Sequence, residues 1–235
     1  MAMPASVQHI CSHIVEQLGT ATATERPLLV ALQGPQGSGK SYLSGLVQSV
    51  LSRPPHSLRV AVLSIDDIYH THADLKLLAE NNPRNPLWKG RGQPGTHDVS
   101  LGIRVLQALK QNKDAVEIPR FEKSLFHGEG DRLPLDGTGP IIVAPTDVVI
   151  MEGWCMGFYP ISSSELKQRW NDDWLSQREL LQLSEHITGN LECVQAVNEK
   201  LQSYVDLWSF FDVFVQVRQL VHFIGGANSE VISLS

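Results

Sequence analysis

The chain has 235 residues, 42% of them hydrophobic, and a formal net charge of −6 at pH 7. It is therefore long enough for one large α/β domain and lacks the basic stripe that nucleic-acid binders use. Three widely spaced cysteines, the absence of any run of ~20 apolar residues and an N-terminus without a signal or transit pattern predict a cytoplasmic protein that binds neither membrane nor nucleic acid.

The N-terminal part of the chain is predicted to be one helix and a linker. Residues 6–18 place Val7, Ile10, Ile14 and Leu18 on one helical face, and residues 20–27 carry no periodic pattern. We therefore assign residues 1–27 to an N-terminal helix and linker that precede the main domain.

A short apolar strand, residues 28–32, leads into the most informative motif of the sequence. Residues 34–41 read G-P-Q-G-S-G-K-S and fit the phosphate-loop pattern G-x-x-x-x-G-K-[ST], with apolar residues at helical spacing behind them. Such a loop turns backbone N–H groups and a helix N-terminus toward phosphate oxygens. The predicted nucleotide-binding residues are Gly34, Pro35, Gln36, Gly37, Ser38, Gly39, Lys40 and Ser41.

Two side chains of this loop have more specific predicted roles. Lys40 would reach the β- and γ-phosphates of ATP, and the Ser41 hydroxyl would help to ligate Mg²⁺. The alternative is a Gly-rich turn that begins a helix and binds nothing. The flanking strand and helix favour the phosphate loop.

The remaining elements predict a P-loop NTPase-like three-layer α/β/α fold with a mainly parallel sheet. Strand 59–65 is a continuous apolar run, as expected for a parallel strand buried on both faces. Residues 82–96 and 119–146 are rich in Pro and Gly and are predicted as loops. The other predicted elements are helices at 71–81, 98–111, 162–174 and 190–208 and strands at 146–151 and 212–217.

Carboxylates follow two of the predicted strands. Asp66 and Asp67 come directly after the second strand, and Glu152 comes at the end of the third. Ligands of open α/β sheets lie at the carboxyl ends of the strands, beside the phosphate loop. Phosphoryl transfer needs one carboxylate near Mg²⁺, predicted as Glu152, and one that takes the acceptor proton, predicted as Asp66. The alternatives are a helix or turn cap for the aspartates and a solvated strand end for Glu152.

Charged loop residues are candidates for holding a small anionic or polyhydroxy acceptor. Asp98 could equally cap the helix that follows it, His97 could be a structural hydrogen-bonding residue, and the cations could simply be solvated. The candidates are Arg91, His97, Asp98, Arg120, Lys123, Asp131 and Arg132.

Taken together, these segments resemble the D-glycerate 3-kinase family of plant and fungal type, which includes fungal ATP-dependent kinases and is related to uridine kinase, phosphoribulokinase and bacterial pantothenate kinase. The resemblance implies that Asp66 is the base, that Glu152 is associated with Mg²⁺, and that Arg91, His97, Asp98, Lys123 and Arg132 shape the acceptor site. The matching segments are residues 34–41, 64–69 (S-I-D-D-I-Y), 91–98 (R-G-Q-P-G-T-H-D), 119–124 (P-R-F-E-K-S), 128–132 (G-E-G-D-R) and 151–154 (M-E-G-W).

The C-terminus departs from that family. Its members continue after the last matching strand with an Arg-bearing lid helix, a strand and a helix that help to hold the adenine. Here residues 218–235 pass through Gly225 and Gly226 to a Ser-rich end. We expect a P-loop kinase domain at 28–217 and a divergent, truncated tail at 218–235, with the last elements of the family fold missing.

The sequence thus predicts an enzyme, an ATP- and Mg²⁺-dependent kinase, with Asp66 and Lys40 as catalytic residues. It would transfer the γ-phosphate to a hydroxyl of a small metabolite, with D-glycerate as the first candidate. Two alternatives remain: a nucleotide-binding protein with little or no transferase activity, and a kinase of the nucleoside or pantothenate type.

Overall fold

The computed structural model describes residues 4–20, 26–220 and 229–234, and side chains as far as residue 218. The longer strands are β1 (Leu28–Gln33), β2 (Val60–Ser64), β7 (Val148–Gly153), β8 (Val213–Leu220) and β9 (Ser229–Leu234). Between β2 and β7 lie four short strands, β3 (Val116–Glu117), β4 (Phe121–Glu122), β5 (Asp131–Arg132) and β6 (Ile141–Ile142). The helices are α1 (Ala5–Thr20), α2 (Lys40–Leu51), α3 (His72–Asn81), α4 (Val99–Gln111), α5 (Ser163–Arg169), α6 (Leu175–Leu180), α7 (Glu185–Thr188), α8 (Leu191–Lys200) and α9 (Val205–Trp208).

The five longer strands form one sheet in the order β2-β7-β1-β8-β9. All neighbours pair in parallel except β8 and β9, which are antiparallel. The register sets Glu152 of β7 beside Leu32 of β1 on one side and Ser64 of β2 on the other. The carboxyl ends of β1, β7 and β2 therefore lie next to one another.

Helices cover both faces of the sheet and complete the predicted three layers. On one face, Leu29 and Met151 pack with Val105 of α4 and Leu207 of α9. On the other, Val30, Leu32 and Ile150 belong to a second apolar core. That second core also contains Ile10 and Ile14 of α1 and Leu43 and Val47 of α2. The N-terminal helix thus shares a core with the sheet. None of the helices in the described ranges is long and apolar enough to cross a bilayer.

The predicted full burial of the second strand is wrong. Val60 and Val62 of β2 are only half-buried, whereas Ala61 and Leu63 are buried. The physical reason is its place in the sheet, because β2 is an edge strand and β1 and β7 have neighbours on both sides.

The predicted loop at 119–146 contains more structure than its composition indicated. β4 pairs with β5, and β6 pairs with β3, as two small antiparallel ladders. Two-residue strands are too short to show a periodic pattern, so the sequence could not reveal them.

The predicted tail at 218–235 is described only in part. The strand predicted at 212–217 extends to Leu220, and β9 pairs with it where no strand was predicted. Gly225 and Gly226, and most of the linker predicted at 20–27, lie outside the described residues.

Candidate active site

The phosphate loop joins β1 to α2 in a conformation that depends on its glycines. Gly37 and Gly39 have φ angles of 79° and 78°, in the left-handed region that favours glycine. Lys40 is buried, and its Nζ donates to the carbonyl of Pro35 at 3.3 Å, across the loop. The Ser38 hydroxyl is buried without a hydrogen-bond partner among the described atoms. A buried lysine and an unpartnered hydroxyl in one loop fit a ligand with anionic oxygens.

The next residue of the loop is tied to the end of β7. The Ser41 hydroxyl donates to Oε1 of Glu152 at 2.8 Å. Glu152 is almost fully buried, with 6% of its surface exposed. A carboxylate and a hydroxyl at this separation offer two oxygens of the kind that Mg²⁺ prefers.

Asp66 and Asp67 lie in a short turn, Ile65–Ile68, that follows β2. The Ser64 hydroxyl accepts from the backbone N–H of Asp66 at 3.2 Å and so begins this turn. The Asp66 carboxylate points toward Lys123, whose Nζ lies 2.6 Å from Oδ2. Asp67 Oδ1 instead accepts from the backbone N–H of Phe121, and burial raises the pKa of Asp67. Asp66 therefore faces the site in an ion pair, while Asp67 holds strand β4.

Two cavities meet at the Asp66–Lys123 pair, since both residues line both cavities. We call them the acidic cavity, of about 390 Å³, and the cationic cavity, of about 500 Å³. The acidic cavity is lined by Ser41, Ser64, Asp66, Asp67, Arg120, Phe121, Glu122, Lys123 and Glu152. The cationic cavity is lined by Gln36, Asp66, Tyr69, Arg91, Gly92, Gln93, Lys123 and Trp154.

The charges of the two linings differ. Four carboxylates face two cations in the acidic cavity, whereas Arg91 and Lys123 face only the carboxylate of Asp66 in the cationic cavity. The first lining attracts a metal cation and the second a small anion. The phosphate loop reaches both, through Ser41 and Gln36 respectively.

Lys123 lies in the connection between β4 and β5, which is fixed to α3. Glu129 of this connection pairs with His72 at 2.7 Å and with Lys76 at 2.9 Å. Arg91 donates to the backbone carbonyls of Gly128, at 2.8 Å, and Glu129. The segment that carries Lys123 is therefore held at two points.

His97, Asp98 and Arg132 line neither cavity and form a layer behind them. Asp98 caps α4 by accepting from Leu101 N–H at 2.9 Å, the alternative that the sequence left open, and pairs with Arg132 at 3.0 Å. Arg132 also donates to the carbonyl of Tyr69 at 3.3 Å. The structure thus places Asp66, Arg91 and Lys123 at the cavities. His97, Asp98 and Arg132 do not line them.

His97 is held from both sides. Its ring stacks on Tyr69 with centroids 4.4 Å apart, and its Nδ1 lies 2.8 Å from the hydroxyl of Tyr204. Burial lowers the pKa of His97 to about 3, so the ring is neutral at physiological pH. Sequence reasoning missed Tyr204, which looks like any apolar residue of the helical pattern at 190–208 and lies far from His97 along the chain.

The fold and the site are those of a P-loop NTPase-like α/β protein with acidic side chains beside the phosphate loop. No protein-family model matches the chain. A solved structure titled D-glycerate 3-kinase from Cryptococcus neoformans is 35% identical and superposes with a TM-score of 0.79, covering 91% of this chain and 73% of that one. The chain belongs to the D-glycerate 3-kinase family.

Two curated fungal proteins are also similar. "Uncharacterized kinase mug58" of Schizosaccharomyces pombe is 38% identical over 194 residues, covering 82% of this chain and 65% of the relative. "Probable ATP-dependent kinase TDA10" of Saccharomyces cerevisiae is 42% identical over 146 residues, covering 60% of this chain and 49% of the relative. The chain thus spans less than two thirds of the length of these curated relatives.

Proposed function

We propose that the protein is an ATP-dependent kinase that phosphorylates a hydroxyl of a small anionic metabolite. One observation carries the proposal: the phosphate loop, the Ser41–Glu152 pair and Asp66 meet around one acidic cavity at the carboxyl end of the sheet. Membership of a family whose relatives are named as kinases supports it. A kinase needs this set, because it must hold phosphates, metal and acceptor oxygen together.

In this proposal the loop at residues 34–41 binds the phosphates of ATP. The backbone N–H groups around Gly37 and Gly39 and the N-terminus of α2 face the phosphate oxygens. Lys40 leaves the Pro35 carbonyl and binds the terminal phosphates, where its charge stabilises the transition state. The Ser38 hydroxyl gains the partner that it lacks here.

The acidic cavity is the proposed place of Mg²⁺, held by Ser41 and Glu152. Across the described ranges no cluster of three or more His, Cys, Asp or Glu side chains is arranged to hold a metal by itself. That fits Mg²⁺, which usually takes one or two protein ligands and completes its coordination with phosphates and water. When bound, Mg²⁺ neutralises charge on the phosphates.

The cationic cavity is the proposed acceptor site. Arg91 and Lys123 fit a carboxylate or another small anionic group. D-glycerate is the first candidate because it is anionic and a similar solved structure is titled D-glycerate 3-kinase. The acceptor hydroxyl gives its proton to Asp66 while its oxygen forms a bond to the terminal phosphorus of ATP. The bond from that phosphorus to ADP breaks, and the products are ADP and a phosphomonoester.

His97, Asp98 and Arg132 are proposed to position the acceptor site from behind. Arg132 fixes the backbone at Tyr69, and His97 supports the Tyr69 ring that lines the cationic cavity.

We also propose a cytoplasmic location. All three cysteines are free and buried, and burial raises the pKa of Cys155 to about 12, which keeps its thiol protonated beside the site.

An ADP-release assay with a panel of acceptors tests the function. We expect release to require Mg²⁺ and to rise with D-glycerate, and to stay at the background rate with uridine or pantothenate. Calorimetry of ATP with Mg²⁺ is measured in parallel. Binding of ATP without turnover on any acceptor would identify a nucleotide-binding protein instead, and turnover on uridine or pantothenate would identify the other kinase type.

A further inference from the structure

The ion pair between Lys123 and Asp66 engages a carboxylate oxygen that the proposed reaction needs. Its 2.6 Å contact engages Oδ2 of the carboxylate that would receive the acceptor proton. While the Lys123 ammonium group donates to Oδ2, the hydroxyl of an acceptor cannot donate to that oxygen from the same direction. The pair as described therefore holds the site in a less reactive arrangement.

The same pair is exposed enough to exchange partners. The Lys123 side chain is 55% exposed and the Asp66 side chain 26%. Ion pairs this open to solvent contribute little to folding stability, and the long lysine side chain has rotational freedom. Asp67 and Glu129, rather than Lys123, fix the surrounding backbone segments. The contact with Asp66 is thus not needed to hold the fold.

Charge indicates where the ammonium group would go. Lys123 borders the cationic cavity, whose other charged residues are Arg91 and Asp66 itself. Arg91 is anchored to backbone carbonyls of the β4–β5 connection and stays in place, so Lys123 is the cation free to respond to an entering anion. A neutral molecule in the same cavity would leave the pair undisturbed.

We propose that Lys123 senses the charge of the acceptor: the anionic group of an incoming acceptor draws the ammonium off Asp66, which leaves the carboxylate free to take the hydroxyl proton. The inference rests on the proposed kinase function. It makes the anionic group a requirement for reaction as well as for binding. Lys123 is then the residue that discriminates a hydroxy acid from the corresponding neutral alcohol.

The experiment compares Lys123→Gln with the unmodified protein on D-glycerate and on glycerol, its neutral analogue. For glycerate we expect kcat/KM to fall about 10- to 100-fold, and for glycerol we expect kcat to rise about threefold or more because Asp66 is no longer paired. Lys110→Gln is the matched control, since it also removes a lysine from an exposed ion pair, with Asp212, and lines neither cavity. It should change neither rate.

Two outcomes would overturn the inference. One is a rise in KM for glycerate with glycerol turnover unchanged, which would make Lys123 a simple binding residue. The other is unchanged calorimetric binding of glycerate to Lys123→Gln without nucleotide. If instead the unmodified protein binds glycerate through Lys123 but phosphorylates no acceptor, the kinase proposal fails and the anion-sensing contact stands.

Discussion

Ser41 and Glu152 form a hydrogen bond of 2.8 Å that ties the N-terminus of α2 to the end of β7. The bond joins the phosphate loop to the acidic strand end, so the two halves of the proposed metal site are already in position. Glu152 also lies between β1 and β2 in the register of the sheet, which fixes its backbone. Preorganised ligands of this kind hold a metal with little rearrangement.

The first prediction concerns the charge of that pair. Glu152→Gln keeps the shape and one oxygen of the side chain but removes its charge, so we expect the half-saturating Mg²⁺ concentration to rise about tenfold or more. Activity measured against Mg²⁺ concentration at saturating ATP reads this directly. Glu199→Gln, on the exposed end of α8, should leave the Mg²⁺ curve unchanged. An unchanged curve for Glu152→Gln would remove it from the metal site.

The second prediction separates chemistry from binding at Asp66. Asp66→Asn cannot accept the hydroxyl proton, so kcat should fall by about 10²- to 10⁴-fold. Because the phosphate loop is untouched, the calorimetric Kd for ATP should stay within about twofold. Asp206→Asn, an exposed position on α9, serves as the control. Full activity of Asp66→Asn would show that another group is the base.

The third prediction is a pH-dependent stability effect at the opposite end of the sheet. Asp147 accepts from Arg59 Nε and Nη2 at 2.8 Å and pairs with Arg26 at 3.2 Å. The hydrogen bonds from Arg59 lower the pKa of Asp147 to about 2 from its usual 3.8. The shift stabilises the native state by about 1–2 kcal/mol at neutral pH, allowing for the exposed Arg59.

The depressed pKa of Asp147 sets the direction in which stability changes with pH. The stabilisation is complete above pH 3.8 and is lost as the pH falls through about 2. Asp147→Asn should lower the free energy of unfolding by about 2 kcal/mol at pH 7, and by less near pH 2. Urea unfolding followed by circular dichroism at both pH values measures this, with Asp206→Asn as the reference. An equal loss at pH 7 and pH 2 would mean that charge is not the cause.

The fourth prediction tests the layer behind the acceptor site. The Tyr204 hydroxyl accepts from the backbone N–H of Gly95 at 2.9 Å and contacts His97 Nδ1. Tyr204→Phe leaves the buried Nδ1 of His97 and the half-buried N–H of Gly95 without this partner and should cost about 1–3 kcal/mol of stability. Since the loop at 91–97 also carries Arg91, the acceptor KM should rise about three- to tenfold with kcat little changed. Tyr159→Phe, at an exposed tyrosine, should have neither effect.

Patterns among neighbouring residues of the sequence predicted most of the fold. The phosphate loop, the cap at Asp98 and the helix at 99–111 each depend on neighbouring residues, and all three are present. The order of strands in the sheet, and with it the half-exposed β2, depends on distant pairings that a pattern of periodicity does not contain. For the same reason β9 could not be predicted, since it is held by its pairing with β8.

The same distinction between local patterns and distant contacts applies to the site. Asp66 and Glu152 were predictable because parallel strands bring their carboxyl ends to one edge. The contact of Lys123 with Asp66 and that of His97 with Tyr204 join residues far apart in the chain. The spacing of residues in the sequence therefore does not reveal them. Their residue types in a loop, together with the resemblance to a family, made Lys123 and His97 candidates, but neither gave the contact partner of each residue or its distance from the cavities.

The shared core of α1 and α2 joins the first helix to the helix that follows the proposed nucleotide loop. Ile10 and Ile14 of α1 pack in the same core as Leu43 and Val47 of α2, the helix that begins at the proposed phosphate loop. We therefore expect occupancy of the proposed nucleotide loop and docking of the first helix to favour each other, and any such linkage is reciprocal. Amide hydrogens of residues 5–20 should exchange more slowly once ATP is added, and a fusion that displaces this helix should weaken nucleotide binding.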